Sequence, residues 1–216
     1  VQVAHMMVPF SGVSLVQRFS ITADDVCYLS MPLFHSNALM AGWSVAVTTG
    51  AAMAPATFSA SGLLDDLRRY GVTYMNYVGK PLAYVLATPE QPDDVDNPLR
   101  VAFGNEAAER DIAEFGRRFG CTVWDGFGST EGAVIITRDG DCPSGSVGRG
   151  FPGVAIYNAD TVTECPPAVF DETGALANGD EAIGEIVNTT GAGLFGGYYN
   201  DEQATGDRLR HGMYWS

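Results

Sequence analysis

Apolar positions in the middle of the chain alternate between two spacings, one helical and one extended. In SASGLLDDLRRYG, Leu63, Leu64, Leu67 and Tyr70 recur at helical spacing, with Asp65 and Asp66 early, Arg68 and Arg69 late, and Gly71 as a stop. Acids at the start and bases at the end of a helix complement its dipole. VTYMNYV, rich in β-branched and aromatic residues, predicts a strand. Lys80 to Ala87 predicts a short helix, ended by TPEQPDDVDNP, a loop dense in Pro and Asp. LRVAF is the next strand, followed by GNE. AAERDIAEFGRRFG then repeats the helix design, with Ile112, Phe115 and Phe119 on one face and Gly120 closing it. The pairs Arg68/Arg69 and Arg117/Arg118 are expected on solvated faces. Gly116 inside this helix costs about 1 kcal/mol relative to Ala, so close packing is expected there. CTVW is the following strand, and it runs into the glycine-rich stretch DGFGSTEGA.

Strand, helix, strand, helix, strand implies right-handed crossovers: an α/β fold with a parallel sheet flanked by helices. GNE and DGFGSTEG both follow strands, so both are expected at the carboxyl edge of one sheet, where open α/β folds bind ligands. After about residue 140 the texture changes. DCPSGSVGRGFPG, DETGALANGDEAIGE and GAGLFGGYY separate short runs such as GVAIYN and EIVN, which predicts hairpins in a smaller β-rich, barrel-like subdomain. The expected division is 1–140 for the α/β part and 141–216 for the β-rich part.

Hydrophobic residues make up 46% of the 216 and charged residues 18%, a composition that can bury a sizeable core. Acidic residues outnumber basic ones 26 to 12, giving a net charge of −14. That balance argues against nucleic acid as a partner, because phosphate contacts need clustered Lys and Arg. Cys27, Cys121, Cys142 and Cys165 form no CxxC and there are three histidines, so the simplest reading is a reduced cytoplasmic protein without a zinc site. Residues 26–64 contain no Asp, Glu, Lys or Arg, but their most apolar part, ALMAGWSVAV, is shorter than the roughly 20 residues that span a bilayer. Buried core is expected there. VQVAHMMVPF does not read as a signal peptide, and a chain without an initial Met that stops at GMYWS reads as a piece of a longer protein.

Gly126, Gly128 and Gly132 miss the dinucleotide fingerprint by one residue; no Gly-Lys-Ser/Thr follows, and Phe127 stands where a nucleophile elbow needs Gly. Glycines still allow close backbone approach to a ligand, and Thr130 offers a hydroxyl to an anion. Glu131 is the odd member. A carboxylate within about 4 Å of a phosphate is repelled by several kcal/mol at an effective dielectric near 20. A Mg²⁺ ion bound to both reverses the sign, and Mg²⁺ characteristically takes one or two carboxylates plus substrate phosphates. Phe127 would then offer a flat surface to a base. The alternative is a strand-to-helix turn, in which Ser129 or Thr130 caps a helix and Glu131 lies in its first turn.

GFGSTEG resembles the [YF]-G-x-T-E signature of adenylate-forming enzymes, the group of acyl-CoA synthetases, luciferases and peptide-synthetase adenylation domains. MPLFHSNA is similar to their substrate-side motif, GNE to the adenine-side loop, GSVGRGFPG to a shared turn and GEIVNTTGAGLFGGYYNDEQAT to the segment before the ribose-binding strand. The wording FGNEAAERDIAEFGRRFGCTVWDGFGSTEG is most similar to the FadD-type, fatty-acid-transport-protein branch of fatty-acid–CoA ligases. Nearly the whole chain takes part in the resemblance.

The resemblance implies two half-reactions: a fatty carboxylate attacks the α-phosphate of ATP, and the thiol of coenzyme A then displaces AMP. It implies that Gly104, Asn105 and Glu106 flank the adenine, that Asp125, Gly126 and Phe127 form the opposite wall, and that Gly128, Ser129 and Thr130 continue the nucleotide loop. Thr130 would contact the α-phosphate and Glu131 would hold Mg²⁺. His35 would border the reacting carboxylate, and Trp43, Val78 and Gly79 the acyl tunnel. Phe127 departs from the commoner Tyr, keeping the ring and losing a hydroxyl. From the residues alone, His35 also reads as a satisfied buried side chain, Trp43 as core, and Glu106 as a cap for a helix beginning near Ala107. The family's phosphate loop, its ribose-binding Asp and its C-terminal domain with a catalytic lysine are not in the chain, so it is expected to have little ligase activity by itself. Three other readings stay open: an acyl-AMP ligase loading a carrier protein, an enzyme for an aryl or bile-type acid, and a non-catalytic lipid- or nucleotide-binding truncation. A greasy product would also suit peripheral membrane contact, although no basic amphipathic helix supports it.

Overall fold

The computed structural model describes residues 1–138 and 141–216. They form two compact units: an α/β unit of Ala4–Gly126 with Arg138–Val147, and a β unit of Val1–Val3, Phe127–Thr137 and Gly148–Ser216. The division expected between 140 and 141 falls at Gly140, which lies outside the described residues.

The α/β unit runs α1 (Met7–Phe19), β1 (Val26–Leu29), a π-helical turn (Ala38–Trp43) continuing into α2 (Ser44–Thr49), β2 (Ala52–Pro55), α3 (Leu63–Tyr70), β3 (Tyr74–Val78), α4 (Pro81–Leu86), β4 (Val101–Asn105), α5 (Glu109–Phe119) and β5 (Thr122–Gly128). Its strands lie in the order β2-β1-β3-β4-β5, and every neighbouring pair is parallel. Parallel sheets need cover on both faces, and β3 shows how the sequence provides it. Met75 and Tyr77 enter a cluster with Leu63, Leu67, Leu82, Phe115 and Phe119. Tyr74 points the other way, into a cluster with Phe19, Ile21, Val45 and Val101. The helices α3 to α5 therefore cover one face, and α1 with α2 the other.

Within the charge-free stretch, Ala38, Ala41, Val45 and Ala46 of the apolar run are almost fully enclosed, whereas Val47 in that run and Leu33 and Phe34 ahead of it are exposed. Its π-helical turn fits against β3 because residue 42 has no side chain. A Cβ there would stand 2.5 Å from Leu29 Cδ1 and 2.9 Å from Asn76 Oδ1, and the Tyr74 hydroxyl donates to the Ala41 carbonyl at 2.7 Å. Gly116 is tightly packed too, since a Cβ would lie 3.0 Å from the Cys121 carbonyl oxygen.

On α3, Leu63 and Leu67 are buried, Leu64 packs partly buried beside them, and Tyr70 is 41% exposed. One sequence expectation is corrected here. Arg118 is not solvated but 6% exposed, because its guanidinium is wholly occupied by the loop after α4.

The β unit contains the antiparallel pair β6 (Ile135–Thr137) and β7 (Arg149–Gly150), then β8 (Val154–Asn158), β9 (Thr163–Glu164), α6 (Gly179–Ala182), β10 (Glu185–Asn188), α7 (Glu202–Arg208), β11 (Leu209–Arg210) and β12 (Met213–Trp215). The last five strands form an antiparallel sheet in the order β11-β12-β10-β8-β9. Ala133, Val134, Phe195 and Tyr214 are at the centre of this unit's core. Among the described residues, no helix is long and apolar enough to cross a membrane.

Candidate functional site

The parallel register brings the carboxyl ends of β3, β4 and β5 level. Val78 pairs with Asn105, Gly104 with Asp125, and Asn105 with Gly126. Gly104 is glycine for a packing reason, because a Cβ would meet the Tyr77 carbonyl oxygen at 2.3 Å and its ring at 2.5 Å. The close approach lets the Tyr77 hydroxyl reach past β4 and donate to Asp125 Oδ2 at 2.8 Å. The same oxygen accepts from the Ala107 amide at 3.1 Å. Burial raises the Asp125 pKa above the usual carboxylate value, with these hydrogen bonds opposing the shift. Asp125 thus ties down the loop that carries Glu106.

Glu106 is exposed with a φ of 68°, the left-handed region that non-glycine residues rarely occupy. It does not cap α5. That helix starts at Glu109 behind Ala108 and has no side-chain cap. Gly79 also has a positive φ, 71°, and its amide donates to the Asn105 carbonyl at 2.9 Å.

Three side-chain amides form a ladder across these strand ends. Asn105 Nδ2 donates to the Gly126 carbonyl at 2.7 Å, Asn37 Nδ2 donates to Asn105 Oδ1 at 3.1 Å, and Asn76 Nδ2 donates to Asn37 Oδ1 at 2.6 Å. A carbonyl can only accept, so Gly126 fixes the orientation of all three amides. The ladder joins the segment at the head of the π-helical turn to the ends of β3, β4 and β5. It ends at Asn76 Oδ1, a buried atom without a hydrogen-bond partner. Asn37→Asp is nearly isosteric but replaces the donor facing Asn105 with an acceptor. We expect it to cost about 1–3 kcal/mol; an unchanged melting temperature would show that the ladder does not run in this direction.

His35 lies just before this segment and is exposed, with Nδ1 accepting from the Asn37 amide at 3.2 Å. Its reading as a buried core side chain is therefore corrected. Trp43 closes the π-helical turn, partly buried. Val78 is one wall of an apolar cavity of about 160 Å³ that Met31, Phe58, Met75 and Pro81 also line.

In the β unit, residues 129–134 make a tight turn between β5 and β6. The Gly132 amide donates to the Ser129 carbonyl at 2.9 Å, and the Ser129 amide to the Val134 carbonyl at 3.0 Å. No helix starts here, which corrects the alternative that Ser129 or Thr130 is an N-cap. Phe127 packs against the cluster of Ala133, Phe195 and Tyr214. Around Gly128 the space is open: a Cβ there would have no neighbour within 4 Å. Thr130 is exposed. Glu131 Oε1 accepts a hydrogen bond from the Tyr198 hydroxyl at 2.6 Å.

Tyr198, Tyr77, Asn37 and Asn76 were not singled out in the sequence. For Asn76 a signal existed, an amide in the middle of an otherwise apolar buried strand. Tyr198 lies 67 residues from its partner, and nothing local marks the pair.

The description AMP-binding enzyme matches residues 1–199. Over 217 aligned residues the chain is 54% identical to the medium/long-chain-fatty-acid–CoA ligase FadD17 of Mycobacterium tuberculosis, covering 100% of this chain and 41% of that protein. It is 50% identical over 201 residues to the steroid-22-oyl-CoA synthetase of Rhodococcus jostii, covering 92% of this chain and 36% of the relative. The chain therefore spans well under half the length of these relatives. The crystal structure of ATP-bound MatB from Rhodopseudomonas palustris superposes with a TM-score of 0.77 at 22% identity, over 99% of this chain and 41% of that one. The chain belongs to the AMP-binding enzyme family.

Proposed function

We propose that this chain is part of a fatty-acid–CoA ligase that activates a fatty carboxylate with Mg·ATP and passes the acyl group to coenzyme A. The single observation that carries the reading is 54% identity along the whole chain to a fatty-acid–CoA ligase. The site residues suit it. Among the described residues no group of three or more His, Cys, Asp or Glu could hold a metal ion. That does not exclude Mg²⁺, whose other ligands are characteristically phosphates and water. Glu131 fits that donor set: a carboxylate has about four lone-pair positions, and the Tyr198 bond uses one of them. The bound ion would supply charge neutralisation at the phosphates.

No side-chain nucleophile is needed, because the substrate's own carboxylate attacks phosphorus. The protein contributes alignment and electrostatic stabilisation. In this reading Gly104, Asn105 and Glu106 flank the adenine together with Asp125, Gly126 and Phe127. Gly128, Ser129 and Thr130 continue that loop, and Thr130 contacts the α-phosphate. His35 borders the carboxylate. Trp43, Val78 and Gly79 line the acyl channel, and the apolar cavity beside Val78 is consistent with that. The steroid-22-oyl-CoA synthetase relative favours one further substrate class, a carboxylated steroid side chain. The test is the intact enzyme assayed with ATP, coenzyme A and a series of fatty acids beside a steroid carboxylate. CoA thioester formation rising with acyl chain length supports the proposal. Turnover of the steroid acid alone, or transfer only to a carrier protein, overturns it.

A further inference from the structure

Glu131 lies on a turn closed by local backbone bonds, and its other surroundings come from the far end of the chain, where the Leu194 amide also donates to the Gly132 carbonyl at 3.4 Å. Asn188 Nδ2 donates to the Ala133 carbonyl at 2.8 Å. Gly193 passes so close that a Cβ there would stand 3.1 Å from Ala133 Cα and 3.2 Å from the Gly132 carbonyl oxygen, and its φ is 58°. A side chain at 193 would therefore be strained and would press on the turn. The glycine-rich run through this point delivers Tyr198, which stacks edge-on to Phe195 with ring centroids 5.1 Å apart. With its ring held this way, its hydroxyl meets Glu131 Oε1 at 2.6 Å. Arg208, from the end of α7, donates to the Trp215 carbonyl at 3.3 Å.

We infer that Tyr198 is a positioning residue that fixes the rotamer of Glu131 and leaves the carboxylate's remaining lone pairs for a divalent cation. This rests on the reading of Glu131 as the Mg²⁺ ligand. A carboxylate on a free glutamate side chain samples several rotamers, and ordering it costs entropy when a ligand binds. A phenol at 2.6 Å meets that cost in the folded protein before the cation arrives. Outer partners of metal ligands act in this way, and their loss typically costs about 10- to 100-fold in metal affinity or activity.

The test uses the intact enzyme with ATP and Mn²⁺ as a paramagnetic probe for the Mg²⁺ site, read by electron paramagnetic resonance, beside the fatty-acid KM and the melting temperature. Tyr198→Phe removes one oxygen and keeps the ring against Phe195. The expected result is about 10-fold weaker Mn²⁺ binding to the ATP complex with the fatty-acid KM unchanged. Glu131→Gln is the control for the underlying reading. If it weakens Mn²⁺ binding while Tyr198→Phe leaves it at the parent value, the positioning role falls and the metal-ligand reading stands. If neither variant changes Mn²⁺ binding, both fall. If Tyr198→Phe lowers the melting temperature and shifts the fatty-acid KM along with Mn²⁺ affinity, the hydroxyl is merely structural and the inference is overturned.

Discussion

Glu131→Gln in the intact enzyme is expected to lower kcat/KM for Mg·ATP by about two orders of magnitude, the scale for removing one preorganised electrostatic partner from a reacting centre. The fatty-acid KM should change far less. The substitution isolates charge from shape. A glutamine carbonyl can still accept from the Tyr198 hydroxyl, now 2.6 Å from Glu131 Oε1, so the turn at 129–134 should keep its form. The other terminal atom becomes an N–H donor, which cannot ligate a cation. Repulsion between an unbridged carboxylate and a phosphate is several kcal/mol at about 4 Å for an effective dielectric near 20, so in the proposed reading glutamate is tolerated beside a nucleotide only with the ion in place. Glutamine escapes that penalty but forfeits the bridge, so raising Mg²⁺ should recover little of the loss. Titrating Mg²⁺ at fixed ATP is the measurement. A variant with the parent's magnesium dependence would remove Glu131 from the metal site.

Much of the α/β unit was legible because its signals are local. The helix ends were marked by acids, bases and a following glycine at Gly71 and Gly120, and both glycines adopt the left-handed conformation that ends a helix. The strands were marked by runs such as VTYMNYV, buried at every position from Tyr74 to Tyr77. Where most of an element is enclosed the period disappears, and that is why the π-helical turn was not resolved in the sequence; in α1 only Met7, Gly12 and Phe19 are buried, while apolar Phe10 and Val13 are exposed and blur the period. In the β unit, order comes from pairings between distant residues, such as Asn188 with Ala133 and Tyr198 with Glu131. No window of sequence contains both partners. The Arg117/Arg118 pair fails as a guide for a related reason. Both residues occupy the last turn of α5, where the dipole favours either, and only the position of a distant loop decides which is enclosed. Arg117 pairs with Glu90 and Glu114 at the surface, half exposed, while Arg118 turns inward.

Arg118→Leu should destabilise the chain by about 3–5 kcal/mol, the cost of breaking a buried ion pair from one side. The guanidinium gives Nε to Asp94 Oδ2 at 2.5 Å, one terminal nitrogen to the Val85 and Thr88 carbonyls at 3.2 and 2.9 Å, and the other to Thr88 Oγ1 and the Pro89 carbonyl at 3.2 and 3.0 Å. It therefore clamps the loop after α4 onto α5. Leucine fills part of the volume but leaves the carboxylate, 3% exposed, with the Gln91 amide as its remaining donor and strips the guanidinium's bonds from the Thr88 and Pro89 carbonyls. Arg118→Lys keeps the charge but presents at most three donors from a single atom in place of a planar fork, so a loss of more than half as much is expected. Replacing both partners, Arg118→Leu with Asp94→Leu, should cost less than the two single substitutions summed, because no lone charge is then buried. The pair also sets an acid limit. Burial tends to raise the Asp94 pKa, but hydrogen bonds from the Gln91 amide and Arg118, with the arginine charge, outweigh it and hold the pKa below the usual value. A lowered folded-state pKa means that the stabilisation is complete above the unfolded value of about 3.9 and is lost as pH falls from there through the folded value. Urea unfolding of parent and variants at pH 7 and below pH 4 measures both effects. A single-leucine variant within 1 kcal/mol of the parent at pH 7 would show that α5 and the loop are held by apolar packing alone.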